Sequence, residues 1–152
     1  MCAHPDEVAL ALWFHDAIYE PTRANNEAQS AEWLARLAAA ASVPSATIER
    51  LQALVMSTCH TSEPRDPDAR VLVDIDLAIL GAPRQRFDAY ERQIRREYRW
   101  VPAPIYRRKR ARALERFVAR PAIYATGPFR AHFEQRAREN IGRSIALLGQ
   151  RT

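Results

Sequence analysis

Ala11-Leu12-Trp13-Phe14-His15-Asp16-Ala17-Ile18-Tyr19 is the stretch on which the fold turns. With Val8, Ala9 and Leu10 leading in, it predicts a helix from Pro5 to Tyr19, apolar on nearly every face. Such a helix is normally buried. His15 and Asp16 stand at its centre. An ionised carboxylate in apolar surroundings must be paired, hydrogen-bonded or metal-bound, because its burial alone costs several kcal/mol. A divalent cation answers that demand. So does an arginine from another helix, with His15 as a satisfied core histidine. On this stretch alone the second arrangement is the commoner one.

The 152-residue chain is 47% hydrophobic and 27% charged, a balance that suits one globular domain with a real core. No run is long and apolar enough to span a bilayer, and the N-terminus lacks a secretory pattern, so a soluble cytoplasmic protein is expected. Cys2 and Cys59 are too few for a disulfide framework, and neither begins a Cys-x-x-Cys pair. The net charge of +5 is uneven. Residues 1–83 hold five arginines against twelve acids, and residues 84–152 hold seventeen arginines and Lys109 against six. An acidic half joined to a basic half suits a site where acids hold cations and arginines hold phosphate. Lysine is nearly absent and alanine abundant, so codon bias explains the arginine content as well.

Four glycines and recurrent helical periodicity indicate an all-α fold. A second helix is expected from Asn25 or Asn26 to Ala41, and a third from Ser45 to near Cys59-His60. Ser62 to Ala69, with Pro64 and Pro67, reads as a loop. Val71 to Leu80 partly alternates, but a lone strand has no partner, so it reads as a helix closed by Gly81. Further helices are expected over Pro83–Tyr98, from Pro102 or Pro104 onward, and over Pro128–Leu148.

His15, Asp16, His60 and the Asp74/Asp76 pair are polar where periodicity predicts burial. Imidazole and carboxylate donors together suit Mn, Fe, Zn, Ni or Mg. Trp13-Phe14-His15-Asp16-Ala17-Ile18-Tyr19, Asn26-Glu27 with Ser30-Ala31, and Asp74-Ile75-Asp76-Leu77-Ala78-Ile79-Leu80-Gly81 resemble the HD superfamily of predicted metal-dependent phosphohydrolases, in a bacterial branch. Ile94-Arg95-Arg96-Glu97-Tyr98, Tyr106 with Arg110, and Ala137-Arg138-Glu139-Asn140 extend the resemblance over nearly the whole chain.

The resemblance implies an HD-like helical bundle with a divalent metal held by His15, Asp16 and Asp76, Asp74 being structural. It implies hydrolysis of a phosphate ester or anhydride, with a nucleotide as the favoured substrate. Glu27 and His60 match polar positions near the site and are candidates to bind metal-bound water, move protons or contact phosphate. Otherwise they are a first-turn acid and a helix-terminal histidine. Arg96, Arg110 and Arg138 match recurring arginines, which clamp substrate phosphate or, the favoured reading, neutralise buried acids. His132 is expected to be structural.

The family pattern begins with a further histidine upstream of the His-Asp pair. Here only His4 precedes it, eleven positions before His15 and about 16 Å away along a continuous helix. His4 is therefore excluded as a ligand. The chain is expected to be incomplete at its N-terminus relative to the family. Part of Val8, Leu12 and Trp13 is then left exposed, to be covered by upstream sequence or by a second subunit in a homodimer. Two rivals to the enzyme reading stand. One is an HD-fold protein that binds a nucleotide or protein partner without turnover. The other, ranked last, is nucleic-acid binding through the arginine-rich helices between Arg84 and Arg120.

Overall fold

The computed structural model describes residues 2–150, which contain helices and no strand. The all-α expectation holds. The described residues fall into two compact units that divide between Asp76 and Leu77. The division coincides with the charge asymmetry: the twelve acids lie in the first unit and seventeen arginines with Lys109 in the second.

The first unit holds α1 (Pro5–Phe14), α2 (Asn26–Ala40), α3 (Ser45–Ser57) and α4 (Pro67–Asp76). α3 is its hub, packing against α1, α2 and α4. Leu51, Leu54 and Val55 of α3 are buried together with Val8, Ala11, Leu34, Leu72 and Val73 of the helices packed on it. Each large aliphatic residue buried this way contributes about 1.5–3 kcal/mol.

Three boundaries differ from expectation, one of them the end of α4, which stops at Asp76 and gives way to a 3₁₀ turn (Leu77–Gly81) where the sequence predicts a helix to Leu80. α1 stops at Phe14 rather than Tyr19. The Leu12 carbonyl accepts a hydrogen bond from His15 Nδ1 at 2.7 Å, which satisfies one of the terminal groups a helix leaves open. Beyond it, the backbone of Ile18 and Glu20 is bonded to α2 side chains instead of to a continuing helix. Nor is α1 buried all round. Val8 and Ala11 are buried and Leu12 is half-buried, but Leu10 is exposed and Trp13 is 84% exposed. α4 begins at Pro67, inside the expected loop. Asp66 Oδ1 accepts from the Asp68 and Ala69 amides at 3.0 and 2.9 Å, and Pro67 takes the first helical position, where its missing N–H costs nothing.

The second unit comprises a 3₁₀ turn (Leu77–Gly81), α5 (Arg84–Glu97), α6 (Ala103–Val118) and α7 (Gly127–Gly149). α7 packs on both the 3₁₀ turn and α6. Its core includes Leu77, Leu80, Phe87, Leu114, Tyr124, Ala137 and Ile141. Tyr124 Oη donates to the Leu77 carbonyl at 3.1 Å, and Asn140 Nδ2 donates to the Leu80 and Ala82 carbonyls at 2.9 Å each. These two side chains fix the irregular backbone that enters α5. His132 packs edge-on against Phe133, a structural contact. No helix of the described residues is long and apolar enough to cross a membrane.

Candidate functional site

The termination of α1 creates the site. His15 caps the helix and Asp16 follows in the turn, so the pair leaves the helix end together. The turn is held from α2. Asn26, Ser30, Leu34 and Ala38 form a buried column at four-residue spacing, and its first two members are polar. Ser30 Oγ accepts from the Ile18 amide at 3.0 Å and donates to the Ile18 carbonyl at 3.3 Å. Asn26 accepts from the Glu20 amide at 3.1 Å and donates to the Glu20 carbonyl at 3.0 Å. Each side chain satisfies both backbone groups of one loop residue, which rigidifies the segment carrying Asp16.

Asp76, the last residue of α4, meets the pair. His15 Nε2 lies 3.2 Å from Asp16 Oδ2 and 3.4 Å from Asp76 Oδ1. His60 Nε2 lies 2.9 Å from Asp76 Oδ2. The structure thus brings together His15, Asp16, Asp76 and His60, all within the first unit. Asp16 is not in apolar surroundings, as the sequence suggested: its side chain is 61% exposed, because α1 has already ended. Asp74 is fully buried, in keeping with a structural role.

His60 adopts φ 53°, the left-handed region that non-glycine residues seldom visit. Holding it there costs of order 1–3 kcal/mol. The conformation turns the chain after α3 and aims the imidazole at Asp76. Asp76 is ionised and accepts only, so His60 Nε2 donates.

The protonation of His15 follows from the same logic. Its Nδ1 faces the Leu12 carbonyl and its Nε2 faces two carboxylates, all acceptors. Both nitrogens therefore carry protons, and the ring is an imidazolium. Hydrogen bonds to Asp16 and then Asp76, against the opposing effect of burial, raise the His15 pKa to about 10. Burial pushes Asp76 upward, but the bonds from His15 and His60 outweigh it and hold the carboxyl at about 2.

A cation can take the place of the His15 proton. Two donors each about 2.1 Å from one ion stand roughly 3.0–3.4 Å apart. The 3.2 and 3.4 Å separations from His15 Nε2 fall in that range. Nδ1, held by Leu12, orients the ring so that Nε2 is the ligating atom. Among the described residues, no three His, Cys, Asp or Glu side chains already surround a common centre. The side chains are hydrogen-bonded to one another.

The other predicted residues are placed as follows. Glu27 is half-buried in the first turn of α2, close enough to Cys59 that, after burial, its charge helps push that thiol upward. His4 belongs to a separate cluster: its Nδ1 pairs with Asp68 Oδ2 at 2.9 Å, and Asp68 also accepts from the Ala3 and His4 amides. The arginines belong to the second unit. Arg110 is largely buried against Glu91, with its Nη2 2.5 Å from Oε1. Arg138 pairs with Glu134 and donates to the carbonyls of Val118, Arg120 and Pro121, closing the end of α6. Arg96 is exposed.

Sequence reasoning missed the positioning role of Asn26 and Ser30. Their signal was present: two polar residues in register with Leu34 and Ala38 on the buried face of α2. No family model, curated protein or solved structure matches the chain.

Proposed function

We propose that the protein is an HD-type metal-dependent phosphohydrolase, with a divalent ion held by His15, Asp16 and Asp76. The observation that carries this reading is one imidazole nitrogen confronted by two carboxylate oxygens at a rigid helix terminus. That mixed nitrogen and oxygen set suits Mn, Fe, Zn, Ni or Mg. When bound, the ion supplies a Lewis acid and an acidified water for attack on phosphorus. The chain's own residues orient that chemistry. Leu12 fixes the His15 ring, Ser30 and Asn26 fix the turn bearing Asp16, and His60 Nε2 holds a proton at Asp76. Glu27, half-buried in the first turn of α2, is the proposed proton acceptor for water, a role that rests on the family resemblance. The substrate class, a nucleotide phosphate ester or anhydride, rests on the family resemblance.

Asp16→Ala tests the assignment. It is expected to abolish metal binding and Mn-supported hydrolysis across a nucleotide panel. The exposed side chain packs little, so metal-free stability is expected to change by less than about 1 kcal/mol. Hydrolysis that persists in Asp16→Ala at unchanged metal stoichiometry places the chemistry elsewhere. A second reading, ligand binding without turnover, draws on one observation: Asp76 already accepts from two imidazoles, which compete with a cation for its oxygens. Metal-loaded protein that binds nucleotides but leaves them intact favours that reading.

A further inference from the structure

The second unit carries seventeen arginines and Lys109 against six acids, and several of its cations are already committed. Arg110 and Arg143 pair with Glu91 and Asp88, and Arg138 closes α6. The aromatic residues interleaved with the arginines divide in the same way. Phe87 and Tyr106 are buried, and Tyr90 lies under the Arg110 guanidinium. At the turn between α5 and α6 the arrangement opens. Trp100 is 59% exposed, with Tyr98 beside it at 6.3 Å between ring centroids. An open recess of about 470 Å³ is lined by Gln93, Arg96, Glu97, Arg99 and Trp100. Among the described residues, neither Arg96 nor Arg99 is paired with a carboxylate. The turn itself is rigid: Arg95 donates to the Tyr98 and Val101 carbonyls at 2.8 and 3.2 Å and stacks on Tyr106. On α6, Arg108, Arg112 and Arg116 form an exposed cationic row of their own at four-residue spacing, about 6 Å of rise per step.

We infer that this turn binds single-stranded nucleic acid, with a base stacked on Trp100 and the adjacent phosphates on Arg96 and Arg99. An exposed indole between unpaired guanidinium groups supplies the two contacts such binding requires, a stacking platform and backbone neutralisation. Gln93 lines the same recess, and its side-chain amide can both donate to and accept from a base edge there. Charge complementarity selects a polyanion over a neutral partner, and an indole lining the same recess as two guanidinium groups supplies the stacking face that a nucleobase uses. Trp13 provides an internal contrast. It is more exposed than Trp100, but it lies in the acidic unit.

The experiment is fluorescence anisotropy of a labelled oligouridylate titrated with the full chain at several salt concentrations. The logarithm of affinity is expected to fall linearly with the logarithm of salt. Trp100→Ala is expected to weaken binding roughly tenfold, Trp100→Phe to restore most of it, and Trp13→Ala to change nothing. The double variant Arg96→Ala/Arg99→Ala is expected to flatten the salt slope by about two units. Circular dichroism confirms that each variant is folded, and the surface positions make that the expected result. Three results overturn the inference: no binding at low salt, Trp100→Ala equal to the parent protein, or heparin and anionic vesicles bound more tightly than the oligonucleotide.

Discussion

Asp76→Ala is expected to remove metal binding and hydrolysis together and to destabilise the metal-free protein by about 3 kcal/mol. Asp76 differs from Asp16 in this respect. Its side chain is largely buried, and its two oxygens accept from His15 and His60. Truncation strands the His60 Nε2–H against a part-buried cavity, and it leaves the His15 Nε2–H with Asp16 alone. The effect depends on pH with a definite sign. His15 is raised from 6.5 to about 10, so its contribution is complete below pH 6.5 and is lost as pH climbs through 10. Asp76 is lowered from 3.8 to about 2, so its contribution is complete above pH 3.8 and is lost as pH falls through 2. Denaturant unfolding of chelator-treated protein between these limits is expected to show the largest gap between parent and Asp76→Ala, narrowing toward both extremes. A gap that does not change with pH contradicts the ionic account of the cluster.

Gly81→Ala is expected to cost about 2 kcal/mol and to lower the melting temperature by roughly 5 °C. A Cβ at residue 81 falls 2.7 Å from Phe133 Cβ, 2.9 Å from the Phe133 carbonyl oxygen and 2.9 Å from Tyr124 Oη. Two of these three atoms belong to α7 at or next to its backbone, so no flexible side-chain end can yield. The third belongs to the fully buried Tyr124, whose hydroxyl holds the Leu77 carbonyl. Relief requires α7 and the 3₁₀ turn to separate. Gly142 is the contrast within the same unit: a Cβ there meets nothing within 4 Å. Gly142→Ala is expected to stabilise by about 0.5–1 kcal/mol through helix propensity alone. Equal effects of the two substitutions in thermal unfolding contradict the packing argument.

Helix identity was legible in the sequence because apolar spacing carries it. The column Leu34 and Ala38 and the inward face of α3 fall where periodicity puts them. Boundaries were less legible because side chains set them. His15 ends α1 by bonding a carbonyl three residues back, and Asp66 starts α4 by bonding two amides ahead. Hydropathy registers neither bond. It also overstated α1, since seven consecutive apolar residues say nothing about whether each face has something to pack on, and Trp13 has none within the described residues. The convergence of His15, Asp16 and Asp76 followed from motif order and not from spacing, because sixty residues separate the two acids. The left-handed backbone at His60 had no sequence signal, since no glycine or asparagine marks it.

The site's chemistry is tested most directly by counting protons. In the metal-free protein His15 stays protonated up to pH about 10, and a cation can use Nε2 only after that proton leaves. Calorimetric titration of Mn or Zn into chelator-treated protein, repeated in buffers of different ionisation enthalpy between pH 7 and 9, reads the proton count. The account predicts close to one proton released per ion bound, and an apparent affinity that rises about tenfold per pH unit. Stoichiometric binding without proton release, or no binding over that range, contradicts a metal centre at His15, Asp16 and Asp76.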